Sequence, residues 1–383
     1  MNTIAFLTTD LLGERSYSIN YHLLFFSRCL LENYKDVRII VFTSEINSKN
    51  QNSLTQILIQ NDIDVPTERI EVCTCNYRDY LVIGEKIATC NVAICEIYIW
   101  SNCLEYAKKI NPNIKIISWI HSLLQQEFVC NRHSRWIDYE LFITMQETLL
   151  RMADELIFDS KYDLDLSNRY YETKFKSTYI YPIPNCKITP SRLFDINNVS
   201  LIYPGRWEYR KGIETIIRSA FKLYVEYGMI LYILSDTNYI NGFENLFVDK
   251  ISSHLFKCMI EKGAIRTIPW INSRNEYLLF LQQKSFIAII PSLYDPFNIV
   301  AYDCINNNIP LVISNFCGIT ELITEEMLVE KVNPFNQISI FNGVTKIVDR
   351  IRKNPIISNG KFECDSTSVQ EKFIKLFNNI LQA

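Results

Sequence analysis

Short apolar runs alternate with longer segments of helical period from one end of the chain to the other, which predicts strand–helix–strand units and parallel sheets. In the first half the runs predict strands at residues 4–8, 37–42, 70–72, 92–97, 114–119, 155–158 and 178–181. Residues 185–198 break the period with Pro190 and a polar cluster, and a fresh strand begins at 199–203. Further runs predict strands at 229–234, 264–268, 286–290 and 310–313, with helices between them. The pattern therefore predicts two doubly wound α/β domains joined near residues 185–198. A final segment, 366–381, carries Val369, Phe373, Leu376, Phe377 and Ile380 at helical spacing and predicts a terminal amphipathic helix.

Composition supports two cores. The chain has 383 residues, 48% hydrophobic and 21% charged, and single domains usually stop at roughly 100–200 residues. A formal net charge of -3 provides no global positive field to gather nucleic acid or anionic lipid, so any phosphate needs a local site. The opening MNTIAFLTTD has no basic stretch before its apolar run, and no window reaches the length of a membrane span. A cytoplasmic protein is expected. The 12 cysteines then count as reduced thiols used as small apolar residues. Cys73-x-Cys75 and Cys90-x4-Cys95 lack the paired spacing of a zinc site, and His22, His121, His133 and His254 are scattered, so no metal site is expected.

Glycine is scarce, with 10 in the chain, so each remaining glycine is expected where a side chain does not fit. Gly205 and Gly212 bracket the sharpest segment, LIYPGRWEYRKGIETIIRSAF. A strand ends at Gly205, the cations Arg206 and Lys211 follow, and a helix starts after Gly212 with Ile213, Ile216, Ile217, Ala220, Phe221 and Tyr224 as its apolar stripe. Ligands of open α/β sheets bind at the carboxyl ends of strands, where these cations fall. Arginine grips phosphate oxygens bidentately and lysine acts as a point charge, so a diphosphate is the natural guest. The bland alternative is a solvated basic turn that also holds Arg210 and Glu208.

The second segment is IIPSLYDPFNIVAYDCINNNIPLVISNFCGITELI. A buried strand ends at Pro291 and a helix is predicted to open at Pro296, with Asp295 as its cap. The amides of Phe297, Asn298 and Ile299 would then be free to bind an anion or hydroxyl. Asp303 follows Asp295 by eight residues, about 12 Å along a continuous helix, a span that suits one carboxylate on a sugar and one on a ribose. Alternatively, Asp295 only caps a helix and Asp303 faces solvent. Asp163-Leu-Asp165 has an Asp-x-Asp form that can hold a metal ion, but here it sits at the start of a predicted helix, where aspartates favour the dipole.

These segments resemble glycosyltransferase family 4. Its donor domain carries a Gly-Arg, four residues, Lys-Gly turn and a Glu, seven residues, Glu motif within a Ser-x-x-Glu-Pro-Phe-Gly-like string. In this chain SLYDPFNIVAYD keeps the spacing and the Pro-Phe, and Gly318-Ile-Thr-Glu321 follows. The chain departs by using aspartate for both glutamates and Asn298 for the glycine. Each aspartate reaches one methylene less far, which closes the pocket slightly, shifts donor preference or removes activity. In the first half WIHSLLQQ at 119–126 and ADELIFDSKYDLD at 153–165 resemble the family's post-strand histidine and its Ala-Asp-x-hydrophobic-x-x-Ser segment, and Gly13 resembles its first phosphate and acceptor loop.

The resemblance implies a GT-B fold of two Rossmann-like, doubly wound domains with a nucleotide-sugar crevice between them. Residues 1–186 would form the acceptor-side domain, 187–363 the donor-binding domain, and 364–383 a helix crossing back to the first. It further implies a retaining, metal-independent hexosyltransferase acting from a UDP- or GDP-linked sugar on an acceptor hydroxyl of a glycan, lipid-linked or natural-product acceptor, with no cofactor. Arg206, Lys211, Asp295 and His121 would be catalytic; Gly13, Gly205, Phe297, Asn298, Ile299 and Asp303 would bind the donor. Nucleic acid is not an expected partner, and membrane contact is expected only with a lipid-linked acceptor. The departures keep a catalytically silent, partner-binding GT-B subunit open, and a nucleotide-sugar epimerase shares the same plan.

Overall fold

A computed structural model describes residues 2–11, 18–44, 53–60, 64, 66–131, 136–171, 175–183, 190–234, 247, 249–271, 274–359, 362 and 364–382. The chain forms two compact units. One comprises Met1–Gln125, Arg135–Pro184 and Cys364–Ala383, the other Gln126–Ser134 and Asn185–Glu363. Residues 184–189 of the expected linker, and Gly13, lie outside the described residues.

The first unit is built on β1 (Asn2–Thr9), β2 (Val37–Ser44), β3 (Ile70–Thr74), β4 (Val92–Cys95), β5 (Lys115–Ile120), β6 (Glu155–Phe158) and β7 (Ser177–Tyr179). They form one sheet in the order β3-β2-β1-β4-β5-β6-β7. Every pairing is parallel. The order reverses direction between β1 and β4, the place where such sheets open a crevice. Continuous apolar runs make these strands, because helices cover both faces of a parallel sheet; Val92, Ala93, Ile94 and Cys95 are all fully buried. The helix Ser366–Gln382 belongs to this unit. Its Phe373 ring lies 4.4 Å from Phe26 of the helix Ser18–Asn33.

The second unit contains β8 (Arg192–Leu193), β9 (Ser200–Pro204), β10 (Leu231–Leu234), β11 (Ile265–Ile268), β12 (Phe286–Ile290), β13 (Leu311–Ser314), β14 (Val329–Val332) and β15 (Ile356–Ile357). Six of them form a parallel sheet, β11-β10-β9-β12-β13-β14, while β8 and β15 pair antiparallel. Strand β14 was not expected. Its four residues carry Glu330 and Lys331, and a run that short and charged has no clear apolar period. The helix Ile213–Tyr227 buries Ile213, Ile216, Ile217, Ala220 and Leu223. Leu223 thus replaces Phe221 in the predicted stripe: Phe221 is exposed, and Tyr224 is only partly buried.

Glycine scarcity carries meaning at only one of the two turn positions. Gly212 adopts φ +77°, and a Cβ there would stand 2.0 Å from the Pro291 carbonyl oxygen. At Gly205 an added Cβ meets the Tyr203 ring at 3.6 Å, ordinary contact, so the expected steric need is not found. Gly212→Ala therefore combines left-handed strain with a backbone collision and is expected to cost about 3 kcal/mol. Gly228→Ala, at φ +68° with nothing within 4 Å, carries only the strain, about 1–2 kcal/mol. Thermal melting of both variants tests this, with the larger fall in Tm expected at Gly212.

Candidate functional site

In the second unit two loops at the carboxyl ends of β9 and β12 are locked together. After β9 the chain makes a single turn, Tyr209–Lys211, and Gly212 then turns it left-handed into the helix Ile213–Tyr227. That turn is stitched to the loop after β12: the Leu293 amide donates to the Arg210 carbonyl at 2.7 Å, and the Arg210 guanidinium donates to the Tyr294 carbonyl at 3.2 Å. Lys211 consequently reaches Asp295 across 84 positions of sequence, Nζ to Oδ2 at 2.6 Å. Asn298 donates to the same oxygen at 2.7 Å.

The helix after Asp295 begins later than expected. It runs Ile299–Asn306, with Asn298 rather than Asp295 as its cap. Asn298 adopts φ +79° and accepts the Ala301 amide on its side chain at 2.8 Å. Asn298 thus combines a left-handed backbone that asparagine tolerates with a side chain that caps the helix while steadying Asp295. Asp295 instead pairs through its backbone with the loop after β13, its amide donating to Phe316 and its carbonyl accepting from Gly318. The eight-residue helical span expected between Asp295 and Asp303 does not exist, because Asp295–Phe297 are not helical. Phe297 is buried, and Asp303 lies inside the helix, buried rather than solvent-facing. The first-turn amides are those of Ile299 and Val300, not Phe297 and Asn298.

The cations differ in setting. Arg206 is 62% exposed and pairs with Glu208 at 3.0 Å. Arg210, expected in a solvated turn, is buried between Glu127 at 3.3 Å and Glu208 at 3.5 Å. Burial opposes the Arg210 charge, but Glu127, Glu208 and Asp295 outweigh it and raise its pKa. Burial lowers the Lys211 pKa, against the pull of Asp295. Burial pushes the Asp295 carboxyl up, yet Lys211 and then Arg210 hold it below the usual range.

The first unit carries its own cluster at strand ends. Glu96 follows β4, His121 follows β5, Asp159 follows β6, and His22 comes from the helix Ser18–Asn33. His121 Nδ1 lies 3.0 and 3.1 Å from the two Asp159 oxygens, and the Trp119 indole donates to Asp159 at 2.9 Å. His121 Nε2 and His22 Nδ1 each lie 3.8 Å from Glu96 Oε1. Burial works against a proton on His121, but Asp159 and then Glu96 push its pKa up to about 10. Burial lowers the His22 pKa and keeps that ring neutral. Sequence reading found His121 but missed Glu96, Asp159 and His22, and the histidines it called scattered include two whose ring centroids lie 5.1 Å apart. Asp159 directly follows a predicted strand and Glu96 lies near the end of one, whereas His22 carried no such signal. Asp163-Leu-Asp165 falls within the helix Lys161–Tyr170, capped by Ser160.

No protein-family model matches the chain. A stretch of 163 residues is 28% identical to an uncharacterized glycosyltransferase of Methanocaldococcus jannaschii, covering 42% of this chain and 39% of that relative. The fold is similar to sucrose-phosphate synthase from Thermosynechococcus elongatus, with a TM-score of 0.73, 14% identity and all of both chains covered. It is also similar to Anabaena HepE in complex with UDP and glucose, with a TM-score of 0.68 and 12% identity over 99% of this chain and 100% of that one. The lipopolysaccharide outer core galactosyltransferase WaaB gives 0.64 and 12% over 98% and 99%. The fold is GT-B, made of α/β units with parallel sheets. Among the described residues no helix is long and apolar enough to cross a membrane.

Removing one partner of a buried ion pair strands the other charge, so Lys211→Ala and Asp295→Asn should each cost about 3–5 kcal/mol. The double variant should lose less than the sum by about 1–3 kcal/mol; strict additivity in denaturant melts would show that the pair is not coupled. The first-unit cluster gives a pH signature. The folded His121 pKa is raised above its ordinary 6.5 to about 10, so its contribution is full below about 6.5 and lost as pH rises through about 10. In chelator-treated buffer, the Tm gap between the protein and His121→Gln should therefore be wider at acidic pH and narrow toward high pH.

Proposed function

We propose that the protein is a retaining glycosyltransferase of the family 4 type, moving a hexosyl group from a nucleotide-diphosphate sugar to an acceptor hydroxyl. The single observation that carries this reading is the meeting of Lys211 with Asp295 at the carboxyl ends of β9 and β12. The bond from the anomeric carbon to the diphosphate breaks while the acceptor oxygen bonds to the same face, and the acceptor proton passes to the departing phosphate. The hard charge to stabilise is the one growing on the diphosphate, and fixed cations do this without reorganising. Lys211 and the exposed Arg206 fill that role, with the Ile299 and Val300 amides adding partial positive charge. Side-chain cations in place of a metal make the reaction metal-independent. Asp295 and Asn298 orient the donor sugar and Asp303 the ribose. The UDP in the similar HepE structure supports a uridine donor.

One observation favours a second reading, a catalytically silent subunit. Lys211 is already neutralised by Asp295, and Arg206 by Glu208, so a diphosphate must compete with carboxylates for both cations. Titration with UDP, GDP and ADP followed by a nucleotide-release screen over their sugars separates the two. The transferase reading expects saturable binding of one nucleotide and release that depends on an acceptor. With that donor, Lys211→Ala should reduce turnover per folded molecule by about 10²–10³-fold, and unchanged turnover would count against the assignment.

A further inference from the structure

His22, Glu96 and His121 bring one ligand atom each to within 4.8 Å of one another. Both nitrogens of His22, Glu96 Oε2 and His121 Nε2 are buried and have no hydrogen-bond partner among the described residues. His22 is 3% exposed and Glu96 5%, so these polar atoms have left water without a protein group to replace it, a costly state for neutral and charged groups alike. At 3.8 Å from Glu96 Oε1, the two histidine nitrogens are too far for hydrogen bonds. Ligands that share a tetrahedral ion at about 2.0–2.1 Å stand roughly 3.3 Å apart, so small rotations of two imidazoles close the set.

We propose that His22, Glu96 and His121 form a binding site for a divalent transition-metal ion of the zinc class, with Asp159 orienting His121. Two imidazoles and a carboxylate are ligands such ions accept, and three protein ligands leave a position open for water or another donor. Asp159 supplies the outer contact that metal-binding histidines commonly have: it faces Nδ1 at 3.0 Å, which leaves Nε2 toward the ion. Trp119 in turn fixes Asp159. Charge also matches, since a dication neutralises the two buried carboxylates of Glu96 and Asp159 together. The ligands come from the ends of β4 and β5 and from the helix Ser18–Asn33, so a bound ion would pin that helix to the sheet. Neither the transferase reading nor Asp163-Leu-Asp165 enters this inference.

The test uses the full chain after chelator treatment, titrated with Co²⁺ and then Zn²⁺. Saturation at one Co²⁺ per chain, with visible d–d bands of a four- or five-coordinate site, no thiolate charge-transfer band, and displacement by Zn²⁺ is the expected result. Zn²⁺ should also raise Tm. Asp159→Asn should weaken binding by about 10–100-fold, the usual effect of losing an outer partner, and Glu96→Gln should weaken it further. If Glu96→Gln fails to fold, Asp159→Asn and the Co²⁺ spectrum of the unaltered chain still decide. No saturable binding of Co²⁺ or Zn²⁺, or a thiolate band showing capture by cysteines, overturns the proposal.

Discussion

The ion pair between Lys211 and Asp295 holds the second unit's candidate site in shape, and its position follows from a backbone constraint beside it. Gly212 packs against the Pro291 carbonyl so closely that no side chain fits. That approach draws the turn after β9 against the loop after β12, lets Arg210 bond to both Leu293 and Tyr294 across the seam, and leaves Lys211 pointing at Asp295. The pair is worth little unless the rest of its surroundings are satisfied. Here they are: Asn298 supplies the second bond to Asp295, and the loop after β13 fixes the Asp295 backbone.

Both units place their chemistry by one rule. Parallel strands end in loops on one edge of the sheet, and residues one position past a strand therefore gather there. Glu96, His121 and Asp159 are each the first residue after β4, β5 and β6, which are neighbours in the sheet order. The result is a buried, highly charged group of side chains. Such clusters persist only when their charges and hydrogen bonds are balanced, and the imidazoles are the adjustable members, able to carry a proton or meet a cation.

Asn298 adopts a left-handed backbone, and its side chain both caps the helix Ile299–Asn306 and bonds to Asp295. The short carboxylate of Asp295 lies at hydrogen-bond distance from both Lys211 and Asn298. Together they describe a loop organised around an ion pair.

By itself the sequence determined the two α/β halves, most strand positions and the terminal helix, because apolar period is a local property, and its short motifs singled out Arg206, Lys211, Asp295 and His121 as candidates. It did not determine where the helix after Asp295 starts, since proline and aspartate favour a helix start at 296 while a left-handed Asn298 postpones it to Ile299. Nor did it reveal that Arg210 is buried, that Phe221 is exposed while Leu223 faces the core, or that Glu96, Asp159 and His22 surround His121. Those facts depend on which strand ends become neighbours and how closely loops approach. Only tertiary packing brings residues tens of positions apart to within a few ångströms, and charge, burial and metal-binding capacity are decided there.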